Sequence, residues 1–240
     1  MKSSTLALAI IALTIYSCSK MDSAELQQEP PVAAPCIGQT GNPAGKSYTA
    51  DSVVAYTCTS RHCGIIPMSA KNFWIYEDSI FQDGNFLRVQ LDTLRFTSNR
   101  KSLSDELVWW EATINVGLPE WLYANDSAIF SMNESWFLAG QLNSRREFGQ
   151  ISADSARYLS AFEDIAAQAK TIKLTAPVSS PAGTWNDCLY FEKYSRNYRK
   201  DQVFFEPGIG VIRYVHEMAA PGTSQLRMQQ VSRLVSYHLE

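Results

Sequence analysis

After its first 18 residues the sequence has no apolar stretch long enough to cross a bilayer as a helix, which takes about 20 residues. It has no block of like charge, so no long-range steering field is expected. Basic residues are not in surplus, with 21 Lys and Arg against 24 Asp and Glu. That mild acidity argues against a nucleic-acid footprint. No period of about 20–50 residues repeats, which speaks against solenoids and propellers. Histidines are few, His62, His216 and His238. None forms an H-E-x-x-H pair, and no G-x-S-x-G marks a nucleophile elbow.

The most informative feature that is present lies at the start. Lys2 precedes an apolar run from Leu6 to Ile15, followed by Tyr16, Ser17 and Cys18. The run is too short for a membrane helix and fits the h-region of a signal, about 7–15 residues. Ile15-Tyr16-Ser17 is a poor A-x-A-like site for the ordinary signal peptidase. The layout resembles the bacterial lipobox, in which the chain is cut just before an acylated cysteine. The resemblance implies that residues 1–17 are a signal peptide and that Cys18 becomes a lipidated N-terminus. Several acyl chains, palmitate among them, would anchor the protein, since each buried methylene contributes about 0.8 kcal/mol.

Pro30, Pro31, Pro35 and Pro43 follow, with Gln27 and Gln28 and few large apolar residues. Such a composition reads as a semi-extended linker. Residues 18–45 are therefore expected to be lipidated cysteine plus tether, and 46–240 a β-rich extracytoplasmic domain. Ser19-Lys20-Met21-Asp22 partly resembles the Lys-then-acidic tag of some Gram-negative surface lipoproteins. The expected address is the cell envelope, at the outer membrane, with the periplasmic or surface face left open.

Past Cys18 four cysteines remain, Cys36, Cys58, Cys63 and Cys188. In an oxidising compartment an even number reads as two disulfides with three alternative pairings. One pairing closes the short Cys58–Cys63 loop and ties Cys36 to Cys188. The alternative is a metal site from Cys58, His62 and Cys63, but structural zinc prefers tighter paired spacings. No metal or other cofactor is assigned.

From Lys46 onward the pattern is mainly strand. Asn72–Phe81 alternates with Trp74, Tyr76 and Ile80 on one side. Asp83-Gly84-Asn85 is a turn, so Phe86–Phe96 should fold back as a hairpin. On that second strand Leu87, Val89 and Leu91 share one face, and Arg88, Gln90 and Asp92 the other. Glu106–Val116 turns Val108, Trp110, Ala112, Ile114 and Val116 inward and leaves Trp109 on the polar face. Ser127–Met132 and Ser135–Leu142 are shorter strands. Ala156, Leu159, Phe162, Ile165 or Ala166, and Ala169 recur at helical spacing, so one amphipathic helix is predicted over 152–170, capped by Ser152. A turn-rich connector over 175–184 is a candidate sub-boundary. Four strands follow, Trp185–Tyr194, Gln202–Glu206, Ile209–Met218 and Leu226–Leu239, joined by short turns such as Pro207-Gly208. The expected fold class is α+β, mainly β: antiparallel meander sheets, of half-barrel type, with one main helix.

Phe204-Phe205-Glu206-Pro207-Gly208-Ile209-Gly210-Val211-Ile212 resembles a terminal hairpin, [YF]-F-x-P-G-[VI]-G-x-[VI], found in many bacterial secreted proteins and lipoproteins of unassigned function. NFWIYEDSIFQDGNF, LDTLRFTS and LVWWEATINVGLP extend the likeness to an uncharacterised lipoprotein family over most of the mature chain. That family implies location and fold, and no activity.

Gly41–Ser47 approaches a phosphate-binding loop, but Thr40 stands where glycine is required and a strand follows instead of a helix; neither nucleotide nor nucleic acid is an expected partner. Carboxylates beside tryptophans, Glu111, Glu120 and Glu134, are the enzymatic lead, toward a glycan-directed hydrolase. No catalytic residue is assigned. The favoured expectation is a lipid-anchored protein that binds an envelope protein, lipid or glycan through Trp109, Trp121 and Trp136. A purely structural lipoprotein is the remaining alternative.

Overall fold

The computed structural model describes residues 36–149 and 155–240. The leader, Cys18, most of the tether and Ser152 lie outside the described residues. Alternation of side chains governs nearly all the rest. Among the described residues the only helical element is the three-residue turn Ala50–Ser52.

Twelve strands build the main wall: β1 (Phe73–Gln82), β2 (Asn85–Ser102), β3 (Val108–Ala112), β4 (Trp121–Ala124), β5 (Ala128–Glu134), β6 (Gln141–Gly149), β7 (Ser155–Phe162), β8 (Ile165–Lys173), β9 (Leu189–Ser195), β10 (Arg199–Glu206), β11 (Gly210–Ala219) and β12 (Leu226–His238). Neighbours in sequence pair antiparallel, except that β6 and β7 do not pair and β12 pairs with β1. The sheet curls until its two ends meet, where the Tyr158 hydroxyl donates to the Glu147 carbonyl at 3.1 Å. The result is a meander rolled into a barrel with one unzipped seam. Two-residue turns set its registers: between β1 and β2, Asp83 and Gly84 both have positive φ, 53° and 84°, the geometry a right-twisted hairpin requires.

The helix predicted over 152–170 is not formed. Strands β7 and β8 occupy it, paired from Ser155↔Ile172 to Phe162↔Ile165. They turn on Glu163, whose φ is 52°. The alanines fit either period, so the helical spacing was no discriminator. Pairing of β8 with β9 over Lys173↔Leu189 to Gln168↔Tyr194 then favours strand, a tertiary override of local propensity. The fold is therefore all-β rather than α+β. The 175–184 connector forms a small hairpin, Val178–Ser180 with Gly183–Trp185. The wall strands on either side of it, β8 and β9, pair with each other in one sheet.

The inner face is apolar at one end. Trp74, Tyr76, Leu94, Phe205, Tyr214 and Leu234 are fully buried there, with Ile66 and Met68 closing the bottom. Each such side chain contributes roughly 1.5–3 kcal/mol through burial. Their polar atoms are satisfied: Trp74 Nε1 donates to the Ile209 carbonyl at 2.8 Å and the Tyr76 hydroxyl to the Val211 carbonyl at 2.9 Å. The β3–β4 loop dips onto this face at Gly117. Its φ is 85°, and a Cβ there would lie 2.5 Å from Val203, so glycine is required.

A second, smaller core lies on the outer face of β3–β5. Trp109, Tyr123, Phe130 and Met132 are covered there by Tyr48 and Val53. These belong to short strands Ser47–Thr49, paired with β6, and Val53–Tyr56, paired with β2. A disulfide joins Cys36 to Cys63, with Cα atoms 5.4 Å apart. It staples strand Ile37–Gly38 beside His62–Cys63.

Candidate functional site

The inner face changes character toward the end where the β1–β2, β5–β6 and β7–β8 turns lie. There a cavity of about 650 Å³ is lined by the β3–β4 loop, β5, β6, the β7–β8 tip, β9 and β10. Parity explains how charge reaches it. Asp201 and Arg199 share the inward face of β10 with Val203 and Phe205, and Lys193 shares that of β9 with Phe191. The strands thus run from apolar at the closed end to charged at the mouth.

The charges are paired with each other. Lys193 Nζ reaches across the barrel to Glu147 Oε2 at 2.6 Å and to the Ala161 carbonyl at 3.2 Å. Glu147, itself buried, also accepts from the Ser131 hydroxyl at 2.7 Å. Arg199 forks onto Asp201, with Nε to Oδ1 at 3.0 Å and Nη2 to Oδ2 at 2.7 Å. His216 Nδ1 lies 2.8 Å from the same Oδ1. The Phe162 ring sits under both cations, Lys193 at 4.6 Å and Arg199 at 4.8 Å from its centroid, a favourable cation–π arrangement. Burial pushes the Asp201 carboxyl up, but the His216 hydrogen bond and the Arg199 guanidinium outweigh it and hold it below the ordinary carboxylate range. Buried pairs of this kind are costly to break, because the survivor is left an uncompensated charge.

Two of the three carboxylates singled out in the sequence, Glu111 and Glu120, line this mouth. Glu111 accepts a hydrogen bond from the Ser98 hydroxyl. Glu134 is elsewhere, accepting from the Gly140 amide at 3.4 Å. An acid–base pair needs one carboxyl held protonated near neutrality. Buried Asp201 does not meet this, since Arg199 and His216 hold it below the ordinary carboxylate range; the other buried carboxylate, Glu147, is paired with Lys193.

The three tryptophans do not form one surface. Trp109 is fully buried in the outer core, because Tyr48 packs edge-on against it at 6.1 Å. Trp121 is half-buried under the Arg100 guanidinium, 4.0 Å from its ring centroid. Trp136 is exposed on the β5–β6 tip beside Phe137 and Leu138. Its amide donates to Asp164 at 2.8 Å, and Arg145 binds the same carboxylate at 2.9 Å, so the tip is fastened to the β7–β8 turn.

Cys58 and Cys188 are buried free thiols, so of the two expected disulfides the structure holds one, Cys36–Cys63, and neither Cys58–Cys63 nor Cys36–Cys188 is formed. Burial and the Glu206 carboxylate push the Cys188 thiol up to about 12, which makes it unreactive. With Cys63 oxidised, the Cys58–His62–Cys63 trio offers no pair of thiolates. His62 instead receives the Trp110 indole N–H at 3.1 Å. Among the described residues no group of three or more His, Cys, Asp and Glu is arranged to hold a metal. Lys46 of the phosphate-loop-like stretch is bound by Asp105 at 2.8 Å, and a strand follows it.

A second cavity, of about 640 Å³, runs along the β6–β7 seam past Arg145, Arg146 and Arg157. Residues 150–154, which join these strands and include Asp154, lie outside the described residues.

No protein-family model matches the chain, and no curated protein matches it. Among solved structures it is similar to a candidate lipoprotein of Parabacteroides distasonis ATCC 8503. The two are 12% identical with a TM-score of 0.34, over 73% of this chain and 99% of that one. A likeness at that level leaves the function to be read from the chain's own residues.

Proposed function

We propose that the protein is a lipid-anchored envelope protein, held at the outer membrane through Cys18, that binds a small hydroxyl-rich ligand in the mouth of its open barrel. One observation carries the ligand reading: the mouth's buried charges already neutralise each other. A charged ligand would have to break a pair. A neutral polyol can instead donate to the carboxylates of Glu147, Asp201 and Glu120 and accept from Asn133, all of which line or rim the cavity together with Phe162. Such a balance of convergent polar groups beside one aromatic ring is usual for orientation-specific pockets. Lipidation rests on the Leu6–Cys18 layout.

Calorimetric titration of the mature chain with neutral mono- to trisaccharides tests the site. At least one should bind. Glu120→Ala and Asn133→Ala, both on the rim, should each weaken it about tenfold, the value of one good hydrogen bond to a charged or polar partner. Absence of binding at millimolar sugar, or binding indifferent to both variants, would sink the reading. Cys18→Ser should release the protein from membranes, and continued membrane association would refute the anchor.

A further inference from the structure

The upper part of β2 is the barest stretch of the wall. β1 pairs with it from Asn85 to Arg95, but β3 joins its other side only from Phe96. Thr113 extends that side slightly, donating its amide to the Arg95 carbonyl and its hydroxyl to the Thr93 carbonyl. In an antiparallel ladder alternate residues aim both main-chain groups to the same side. The N–H and C=O of Val89 and Leu91 therefore point outward past β3, and no described strand meets them. The side chains beside this edge are apolar and bare: Phe86 is 61% exposed, Leu87 52%, Val89 51% and Leu91 66%. Soluble proteins usually blunt such an edge with lysine, proline or a covering segment, because it is a template for strand pairing. Between Phe86 and Leu91 there is neither lysine nor proline.

We propose that this edge pairs antiparallel with the same edge of a second copy of the chain, centred on Gln90. Charge selects both occupant and register. With Gln90 opposite Gln90 of the second copy, Arg88 stands opposite Asp92 and Asp92 opposite Arg88, on one face of the new ribbon. On the other face Val89 meets Leu91 twice, closing an apolar stripe. Registers one step away set Asp92 against Phe86, or Arg88 against Leu94, and lose both ion pairs. The groups are already extended along the strand: Arg88 Nε donates to Gln90 at 2.9 Å, and Gln90 Nε2 to Asp92 at 2.6 Å. The interface is isologous, so it closes at a dimer instead of propagating into fibres. Val89 and Leu91 lie on the outer face of the wall, while Arg88, Gln90 and Asp92 share the inner face with Leu94, opposite Tyr76 and Asp78. None of these edge residues lines the ligand mouth, so the edge stands or falls separately from that reading.

Cysteine cross-linking of the full anchored chain in isolated membranes tests it. Residues directly opposite in a non-hydrogen-bonded antiparallel pair have Cα atoms about 4.5 Å apart, within disulfide range. Gln90→Cys should therefore give a covalent dimer under copper-phenanthroline oxidation. Added to it, Arg88→Asp alone or Asp92→Arg alone should cut that yield about tenfold, because like charges then face each other twice. Co-expression of those two chains under different tags should restore a mixed dimer, since each charge again meets its opposite. The mixed dimer also proves that both variants fold. Absence of the 90–90 cross-link, a yield unchanged by Arg88→Asp, or no mixed dimer would each overturn the proposal.

Discussion

Two stretches of the outer wall carry large apolar side chains pointing away from the barrel, and they meet different fates. On β3–β5, Trp109, Tyr123 and Phe130 vanish beneath the chain's own Tyr48 and Val53. On β2, Leu87, Val89 and Leu91 remain more than half exposed. Both stretches show the same alternation, so alternation announces that a face is apolar without saying what covers it. The covered face has an added strand on each flank, Ser47–Thr49 on β6 and Val53–Tyr56 on β2. The bare face has an unpaired edge, which is why a second copy is a sufficient cover there.

The largest expected effect tests the covered side. Trp109→Ala should destabilise the fold by about 3–5 kcal/mol, through lost transfer energy plus the cavity left under Tyr48. Urea unfolding reads this directly. A loss under about 1 kcal/mol would mean that the outer core is loosely closed and that the two stretches differ less than their exposures indicate.

Much of this contrast could be read from residue order, and some could not. Asp83-Gly84 and Pro207-Gly208 announced their turns, and the C-terminal strands followed from alternation. The assignment of Trp109 to a polar face also used parity correctly. The error was to equate the outward face with solvent, because Tyr48 and Val53 are too remote in sequence for local pattern to place. The predicted helix failed because small alanines satisfy both periods. The mouth was missed although a signal existed: Arg199 and Asp201 have the parity of Val203 and Phe205, so two charges stood on an inward face. Their partners, Lys193, Glu147 and His216, come from other strands, and only register brings them together.

A smaller effect separates the two faces of β2 itself. Asp78 of β1 is buried against the polar face, near Asp92, Gln230 and Ser232. Burial, with the Asp92 carboxyl beside it, pushes Asp78 up to about 6. Its folded-state affinity for a proton exceeds the unfolded one. Its contribution is therefore most favourable below about pH 4 and is lost as pH rises through about 6. Asp78→Asn should gain about 2 kcal/mol over the parent at pH 8, and nothing at pH 3.5. Unfolding free energies of the pair measured across that range check it; a gain constant with pH would show that the polar side of β2 is not strained by its acids.

The smallest expected effect bears most on the bare side. Leu91 is 66% exposed, so replacing it removes little buried area, and threonine suits an exposed strand position. Leu91→Thr should leave the unfolding free energy of the dilute chain within about 0.5 kcal/mol. The same change removes both Leu91–Val89 contacts of the paired edges, so it should reduce the Gln90→Cys cross-link while stability stays put. That dissociation of effects is what an intermolecular cover demands. If instead Leu91→Thr costs more than about 1 kcal/mol in the monomer, some segment of the same chain covers this face as Tyr48 covers Trp109. The contrast between the two stretches would then disappear, and the self-pairing edge with it.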